Sequence, residues 1–371
     1  MTTNCLRNIM NLEKLNLVDI GANLTHKSFK NHLPAILSDA FNAGCKHIVI
    51  TGTNIPNSKA AIALCRKFNV GTATPKLYCT VGIHPHDAST VVDVEKTKKT
   101  MRTIIQDNLD VVVALGECGL DYHRHFSPLE KQKEVFNMQL ELSEYFNLPF
   151  FLHERSAFAD FKVFLEKFHD ISGVVHCFTG ERQEMQEYLK MGMFIGLTGF
   201  ICDPKRAKTI HQLIKYIPRD RLMIETDAPF MAPKALKIRN NEPQYLVHIA
   251  AEIAKEWNTT VEDVSDITYR NTSLFFNFEK SNVKQVRYPG TNFLRNDQIQ
   301  TNANTPVATI KHVVSERHVK ENRINKLTKK LNEIAILKAR QLKGDTLEHS
   351  QISKIEHESI YLKELASLEL K

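Results

Sequence analysis

No run of about 20 apolar residues occurs anywhere in the 371-residue sequence, which excludes a bilayer-spanning helix. The opening stretch MTTNCLRNIMNLEKL has no apolar core leading to a small-residue cleavage site, so a secretory signal is not expected. No CxxC pair occurs among the seven scattered cysteines, which argues against a disulfide framework and against a thiolate zinc site. Reduced thiols in the cytoplasm or nucleus are the expectation. Also missing is a GxGxxG turn after the first apolar run, where the text reads GANLTHKSF; a dinucleotide-binding open sheet is therefore disfavoured.

Excess charge is missing from most of the chain. Residues 280–371 hold 17 Lys and Arg against 10 Asp and Glu, so the whole net charge of +7 lies there and residues 1–279 balance at 32 and 32. A neutral body with a basic tail places polyanion affinity partly in the tail, unless that segment is merely a solvated basic helix.

What is present is an alternation. Eight short apolar runs recur at 17–23, 47–53, 77–85, 111–120, 148–154, 173–178, 193–199 and 222–229, with amphipathic stretches between them. One such stretch, 127–146, reads as a helix with Ser127 as cap, Pro128 at the first helical position and Glu130 in the first turn. Strand then helix, eight times over, predicts an α/β fold of the (β/α)8 barrel type, closed by two further helices near 243–257 and 260–276. A (β/α)8 barrel, the TIM barrel, gathers the C-terminal ends of its strands around one pocket. Four of those ends carry metal-ligand residue types: Glu117, His153, His176 and Asp227. Crowded together without compensation they would cost several kcal/mol in desolvation and repulsion, which a divalent cation removes. Mixed imidazole and carboxylate ligation suits Mg2+, Mn2+ or Zn2+, one ion or two. Such a site activates water and polarises a phosphoryl or carbonyl group, with Glu117 able to bridge two ions and Asp227 placed as general base.

The runs VVALGECGLDYHRHF, LPFFLHERS, GVVHCFTG, IGLTGFICDPKRA and LMIETDAPFMAPK resemble the successive signatures of the TatD family of metal-dependent deoxyribonucleases, over residues 15–278. The resemblance implies a barrel of the metallo-dependent hydrolase type and phosphodiester hydrolysis on DNA, with RNA a further candidate, as a 3′ to 5′ exonuclease. It puts Glu117, His153, His176 and Asp227 at the ligand positions; Asp227 and Glu117 are the carboxylates expected to be catalytic. Many relatives open with an Asp-any-His-any-His motif; here the stretch is Asp19-Ile20-Gly21-Ala22-Asn23, so one metal position is expected to be weak, held by Asp227, Glu117 and Asn23. Small-molecule amidohydrolase or lactonase activity, and a non-enzymatic ribosome-associated adaptor on a degenerate barrel, are the alternatives.

Around the pocket, His84 and His86 follow the third strand, either as exposed imidazoles of a Pro-defined turn or, as the resemblance favours for His84, binding a substrate phosphate. Arg124 and Arg155 read as phosphate clamps or as surface ion-pair partners. Cys118 and Cys177 read as small core residues, and Arg239-Asn240-Asn241-Glu242-Pro243 as a latch on the barrel mouth.

Beyond the barrel, residues 280–320 read as a flexible linker and 321–371 as a basic helical hairpin, with Ile324, Leu327, Leu331 and Ile334 before a break at Gly344 and Ile352, Ile355, Leu362 and Leu365 after it. The text KKLNEIAILK with Gly344, Leu347, Gln351, Lys354 and Ile355 resembles the C-terminal helix pair of the Mago-binding protein PYM and of a translation initiation factor of the two-A type. That resemblance implies contact with the small ribosomal subunit or another RNA–protein surface; a dimerising hairpin is the alternative. No membrane partner is expected.

Overall fold

The structure, a computed structural model, describes residues 12–278 apart from 72, 169, 170, 204 and 206, and ten helical residues of the tail. Eight strands lie in one parallel sheet in sequence order: β1 (Leu17–Ala22), β2 (Cys45–Ile50), β3 (Lys76–Val81), β4 (Val112–Asp121), β5 (Phe150–Arg155), β6 (Gly173–Val175), β7 (Phe194–Leu197) and β8 (Leu222–Ile224). Each overlaps one of the eight apolar runs, with β2 to β5 reaching one or two residues beyond theirs. Strands covered on both faces read as continuous rather than alternating hydrophobic text, and β1 and β4 are buried along their whole length.

The intervening helices are α1 (Leu33–Asn42), α2 (Ile55–Phe68), α3 (Val94–Gln106), α4 (Leu129–Leu140), α5 (Phe158–Lys167), α6 (Arg182–Lys190) and α7 (Lys208–Ile214). Two more, α8 (Leu246–Trp257) and α9 (Val261–Phe276), complete the layer, the latter capped by the Thr260 hydroxyl accepting from the Asp263 amide. Ser127 does not cap α4 as its sequence position suggests. Its hydroxyl instead donates to the His86 carbonyl (2.9 Å) and accepts from the Ser89 amide (3.0 Å), so it ties two mouth loops together, and Pro128 takes the cap position. Among the described residues no helix is long and apolar enough to cross a membrane.

The sheet closes on itself. A parallel bridge joins Ala22 to Ala228, the Asn23 amide donates to the Ala228 carbonyl (2.7 Å), and the Asp227 amide donates to the Gly21 carbonyl (2.8 Å). Asp19, buried in β1, reinforces this seam by accepting from the Thr226 amide (2.9 Å) and hydroxyl (2.5 Å). An open doubly wound sheet is thereby ruled out.

Burial pushes the Asp19 carboxyl up to about 7, against the lowering effect of the Thr226 hydrogen bonds. A carboxyl raised in the folded state from its ordinary 3.8 stabilises fully below that value and loses the contribution as pH rises through about 7. Measured in chelator, Asp19→Asn is expected to gain stability relative to the parent by on the order of 4 kcal/mol between pH 4 and pH 8. Urea midpoints across that range check it; parallel curves would show that Asp19 does not titrate with folding.

Two apolar layers build the core. The larger lies between strands and helices, where α4 and α5 stack Phe136 on Phe161 (5.2 Å). The smaller fills the barrel, from Val18, Ile20, Val49, Val113, Phe151 and Met223 down to Phe276 and Phe278 at the floor. Phe278 stacks on Tyr78 (4.4 Å), whose hydroxyl donates to the Phe278 carbonyl (3.3 Å). Burying one such ring contributes roughly 2–3 kcal/mol, and together they leave the C-terminal mouth as the polar end of the barrel interior.

The chain divides into two compact units, Met1–Phe293 and Leu294–Lys371. In the second, Leu331, Ile334, Leu337, Lys338 and Gln341, then Gln351, Ile355, Glu358, Tyr361 and Leu362, are helical. Ile334 is buried and Lys338 pairs with Glu358. The expected linker 280–320, and Ile324, Leu327, Gly344, Ile352 and Leu365, lie outside the described residues.

Candidate metal centre

Glu117 does not end its strand: β4 continues four residues to Asp121. The ladder between β4 and β5 slips at this point, with Gly116 opposite Phe151 and Cys118 opposite Leu152, so Glu117 is the extra residue of a bulge. Bulges re-aim side chains, and this one turns a carboxylate into the mouth while its amide donates to the Gly52 carbonyl (2.8 Å). Gly116 makes the slip feasible. Its φ is +127° and a Cβ there would lie 2.2 Å from the Phe151 carbonyl oxygen.

Three imidazoles converge on one oxygen of this carboxylate. His176 Nε2 lies 2.8 Å from Glu117 Oε1, His153 Nδ1 2.9 Å and His84 Nε2 3.2 Å, with the His153 and His176 nitrogens 3.2 Å apart. A carboxylate oxygen has two lone pairs, so three donors there exceed what it can accept. Burial alone would raise the Glu117 carboxyl, but His84, His176 and His153 hold it well below the usual carboxylate range.

The histidines are not equivalent. His84 Nδ1 accepts from the His86 amide (3.0 Å), and burial pushes this imidazole down to about 4, so it is neutral with its proton on Nε2. It is therefore a donor toward Glu117, although its ligand atom falls in the same compact group as those of Glu117 and His153. His153 and His176 each carry a carboxylate behind the ring. Asp121 Oδ2 stands 3.5 Å from His153 Nε2, and Glu225 Oε1 stands 3.4 Å from His176 Nδ1. Against the lowering effect of burial, Asp121 and Glu117 raise His153, and Glu117 and Glu225 raise His176. An imidazole with an acid at its rear and its front nitrogen turned toward a shared carboxylate is the usual arrangement of a metal-ligating histidine.

Asp227 occupies the other side of the mouth. It follows β8 with φ +54°, and its Oδ1 accepts from the Asn23 side chain (2.9 Å) rather than joining the histidines. Burial, with Glu117 and Glu225 nearby, pushes its carboxyl up to about 8 despite His176. The structure thus brings Glu117, His153 and His176 together, adds His84, and leaves Asp227 paired to Asn23. The donor set fits a hard or borderline divalent cation: two imidazole nitrogens and a carboxylate oxygen share one point, and the imidazoles crowded on that oxygen exceed the donors it can accept.

Asp121 and Glu225 carry no signal of their own in the sequence beyond lying within four residues of Glu117 and Asp227 respectively. His86 is no exposed turn imidazole, since its Nε2 meets Asp121 Oδ2 at 2.7 Å. Arg124 follows β4 and is exposed, Arg155 ends β5 and is half-buried, and neither forms an ion pair among the described residues. Cys118 is buried as expected; Cys177 is only half-buried, with its amide donating to Glu225 (2.6 Å). Asn241 does latch the mouth, donating to the carbonyls of Thr226 (2.8 Å) and Met231 (3.3 Å).

A closed parallel barrel with histidines gathered on a carboxylate at its C-terminal mouth defines a hydrolase of the metallo-dependent class. Solved structures share the fold: a TatD family hydrolase from Entamoeba histolytica aligns at TM-score 0.65 and 28% identity over 71% of this chain and 99% of that one. YJJV, a TatD homolog from Escherichia coli K12, aligns at TM-score 0.65 and 24% identity over 72% and 99%. The model of TatD related DNases matches residues 18–277, and the chain belongs to the TatD family. It is similar to the proteins called 3′-5′ ssDNA/RNA exonuclease TatD from Salmonella typhimurium, at 39% identity over 64% of this chain and 90% of that one, and from Pectobacterium carotovorum, at 41% over 65% and 91%.

Proposed function

We propose that the protein is a divalent-metal-dependent 3′-5′ exonuclease acting on single-stranded DNA and RNA, with residues 1–279 as the nuclease domain. The observation that carries this reading is the convergence of His153 and His176 on Glu117, each histidine backed by its own acid. Glu117, His153 and His176 would hold one ion, and Asp227 with Glu117 and Asn23 a weaker one. A bound divalent cation, Mg2+ foremost with Mn2+ and Zn2+ as alternatives, supplies an activated water and neutralises charge at the phosphoryl oxygens. The chain's own groups do the rest. Asp227, in its ionised form, would accept the proton of the attacking water, and His84 would turn its Nε2–H from Glu117 to a phosphate oxygen. Arg124 and Arg155 offer guanidinium forks to flanking phosphates.

The test is hydrolysis of a 5′-labelled single strand by the purified chain under Mg2+, Mn2+ and chelator. Stepwise shortening with metal and none in chelator is expected; activity indifferent to chelator, or faster turnover of amides and lactones, would overturn the reading. Metal alone should also act on the fold. At 100 times its dissociation constant the ion raises stability by about 2.7 kcal/mol, read as a rise of several degrees in Tm that Glu117→Gln removes.

For the tail we infer a linker at 280–320 and a basic helical hairpin at 321–371 that meets the small ribosomal subunit or a similar RNA–protein surface in the cytoplasm or nucleus. The net charge of +7 over residues 280–371 and the Lys338–Glu358 pair between helical residues support this. The full chain should co-sediment with ribosomes and a chain ending at 293 should not; equal sedimentation would discard it.

A further inference from the structure

Two phenylalanines stand exposed in the barrel unit, Phe126 at 64% and Phe230 at 52%. Both belong to mouth loops. Phe126 follows β4 and Phe230 follows β8, strands four apart in an eight-strand ring and therefore on opposite sides of the mouth. Exposed rings elsewhere on the barrel unit are covered: Arg102 lies over Tyr145 (4.2 Å) and Arg182 over Tyr216 (4.0 Å). The two phenylalanines have only an edge contact each, Phe126 with His86 (4.7 Å, 66°) and Phe230 with His26 (5.7 Å, 70°).

Neither ring hangs on a loose loop. His86 is anchored on Asp121 (2.7 Å), and the neighbouring Ser127 is bonded to the His86 carbonyl. The Phe230 amide donates to the Asp227 carbonyl (2.9 Å), and Asn241 holds the Met231 carbonyl. Exposed basic residues accompany both rings: His123, Arg124 and His125 precede Phe126, and Lys234, Lys237 and Arg239 follow Phe230. A fixed aromatic ring beside positive charge is the elementary unit of single-strand recognition, since every base has a face to stack while the cations meet the backbone.

We propose that Phe126 and Phe230 are stacking platforms for bases of a single-stranded nucleic acid, one on each side of the metal-type cluster, and that they position the strand across Glu117. The assignment deepens the nuclease reading and rests on it.

The test compares the full chain with Phe126→Leu, Phe126→Trp, Phe230→Leu and Phe230→Trp on three diesters: a DNA decamer, the same decamer made wholly of abasic residues, and bis(p-nitrophenyl) phosphate. Leu keeps apolar bulk and removes the ring. Each Leu variant should raise KM for the decamer about 5-fold to 150-fold, the span matching the ~1–3 kcal/mol of one base–aromatic stack, and each Trp variant should restore it. The abasic decamer should bind the parent as weakly as it binds the Leu variants, and the small diester should be hydrolysed at unchanged kcat/KM. Equal loss on all three substrates, or decamer kinetics unmoved by Leu, overturns the platforms. Parent protein inert toward every diester in Mg2+ and Mn2+ overturns the nuclease reading itself, which separates the two failures.

Discussion

Glu117→Gln is expected to reduce kcat/KM on a single-stranded oligonucleotide in Mg2+ by at least about 10³-fold while leaving the barrel folded. Gln has nearly the same shape and fits the bulge, so the Gly52 hydrogen bond and the strand register are preserved. What disappears is the negative charge on which three imidazoles converge. An amide presents one acceptor and one donor group, and the donor cannot face an unprotonated ring nitrogen and a cation at once. A cation there would have two histidines and no anion, and His153 and His176 lose one of the two carboxylates that raise each of them. Far-UV circular dichroism and the metal-free Tm establish that the fold survives; more than a tenth of parental activity would remove Glu117 from the centre of the reaction. Asp227→Asn should also lower activity severely, with the metal-induced rise in Tm largely kept if His153, His176 and Glu117 hold the tighter ion.

Gly21→His, the change that would supply one missing strand-one histidine, is expected to prevent folding rather than to add a ligand. A Cβ at this position alone would stand 2.3 Å from Glu225 Oε2 and 2.8 Å from Phe151 Cζ, both in the packed barrel interior. Even Gly21→Ala should cost about 1–3 kcal/mol, because neither neighbour is a flexible chain end in open space. The acid at 225 and the glycine at 21 share one volume. Combining Gly21→Ala with Glu225→Ala should therefore cost less than the two single changes together, with a coupling of about 1 kcal/mol or more in urea unfolding; strict additivity would mean that the two positions do not compete.

The strands were legible because a parallel barrel buries both faces of each, leaving uninterrupted apolar text whose ends are easily seen. The mouth was legible only as a set of residue types. Glu117 looked like a strand terminus because the bulge that displaces it depends on pairing with β5, a non-local fact without a trace in the local sequence. The same limit hid Ser127, whose position before a helix suggested a cap while its hydroxyl was taken by the loop carrying His86. His84 was read through its loop, yet its tautomer follows from one backbone amide at His86. Asp121 and Glu225 have no local signature, because an acid near a strand end signals nothing until the histidine in front of it is placed.

The one-residue slip in β4 sets a reading frame for the barrel. Seven residues of this strand, Leu115–Asp121, lie against the six of β5, and the orientation of every side chain downstream of Gly116 is counted from that extra residue. Deleting Cys118, a small buried residue, would let the ladder run in step and shift the faces of Gly119, Leu120 and Asp121 by one. Loss of a single codon there would leave a soluble-looking sequence with every reactive residue intact in type but with Asp121 turned from His153. Insertions in the surface loops after α3 or α6 carry no such penalty, so the gene's tolerance to small length changes should be lowest within this one strand.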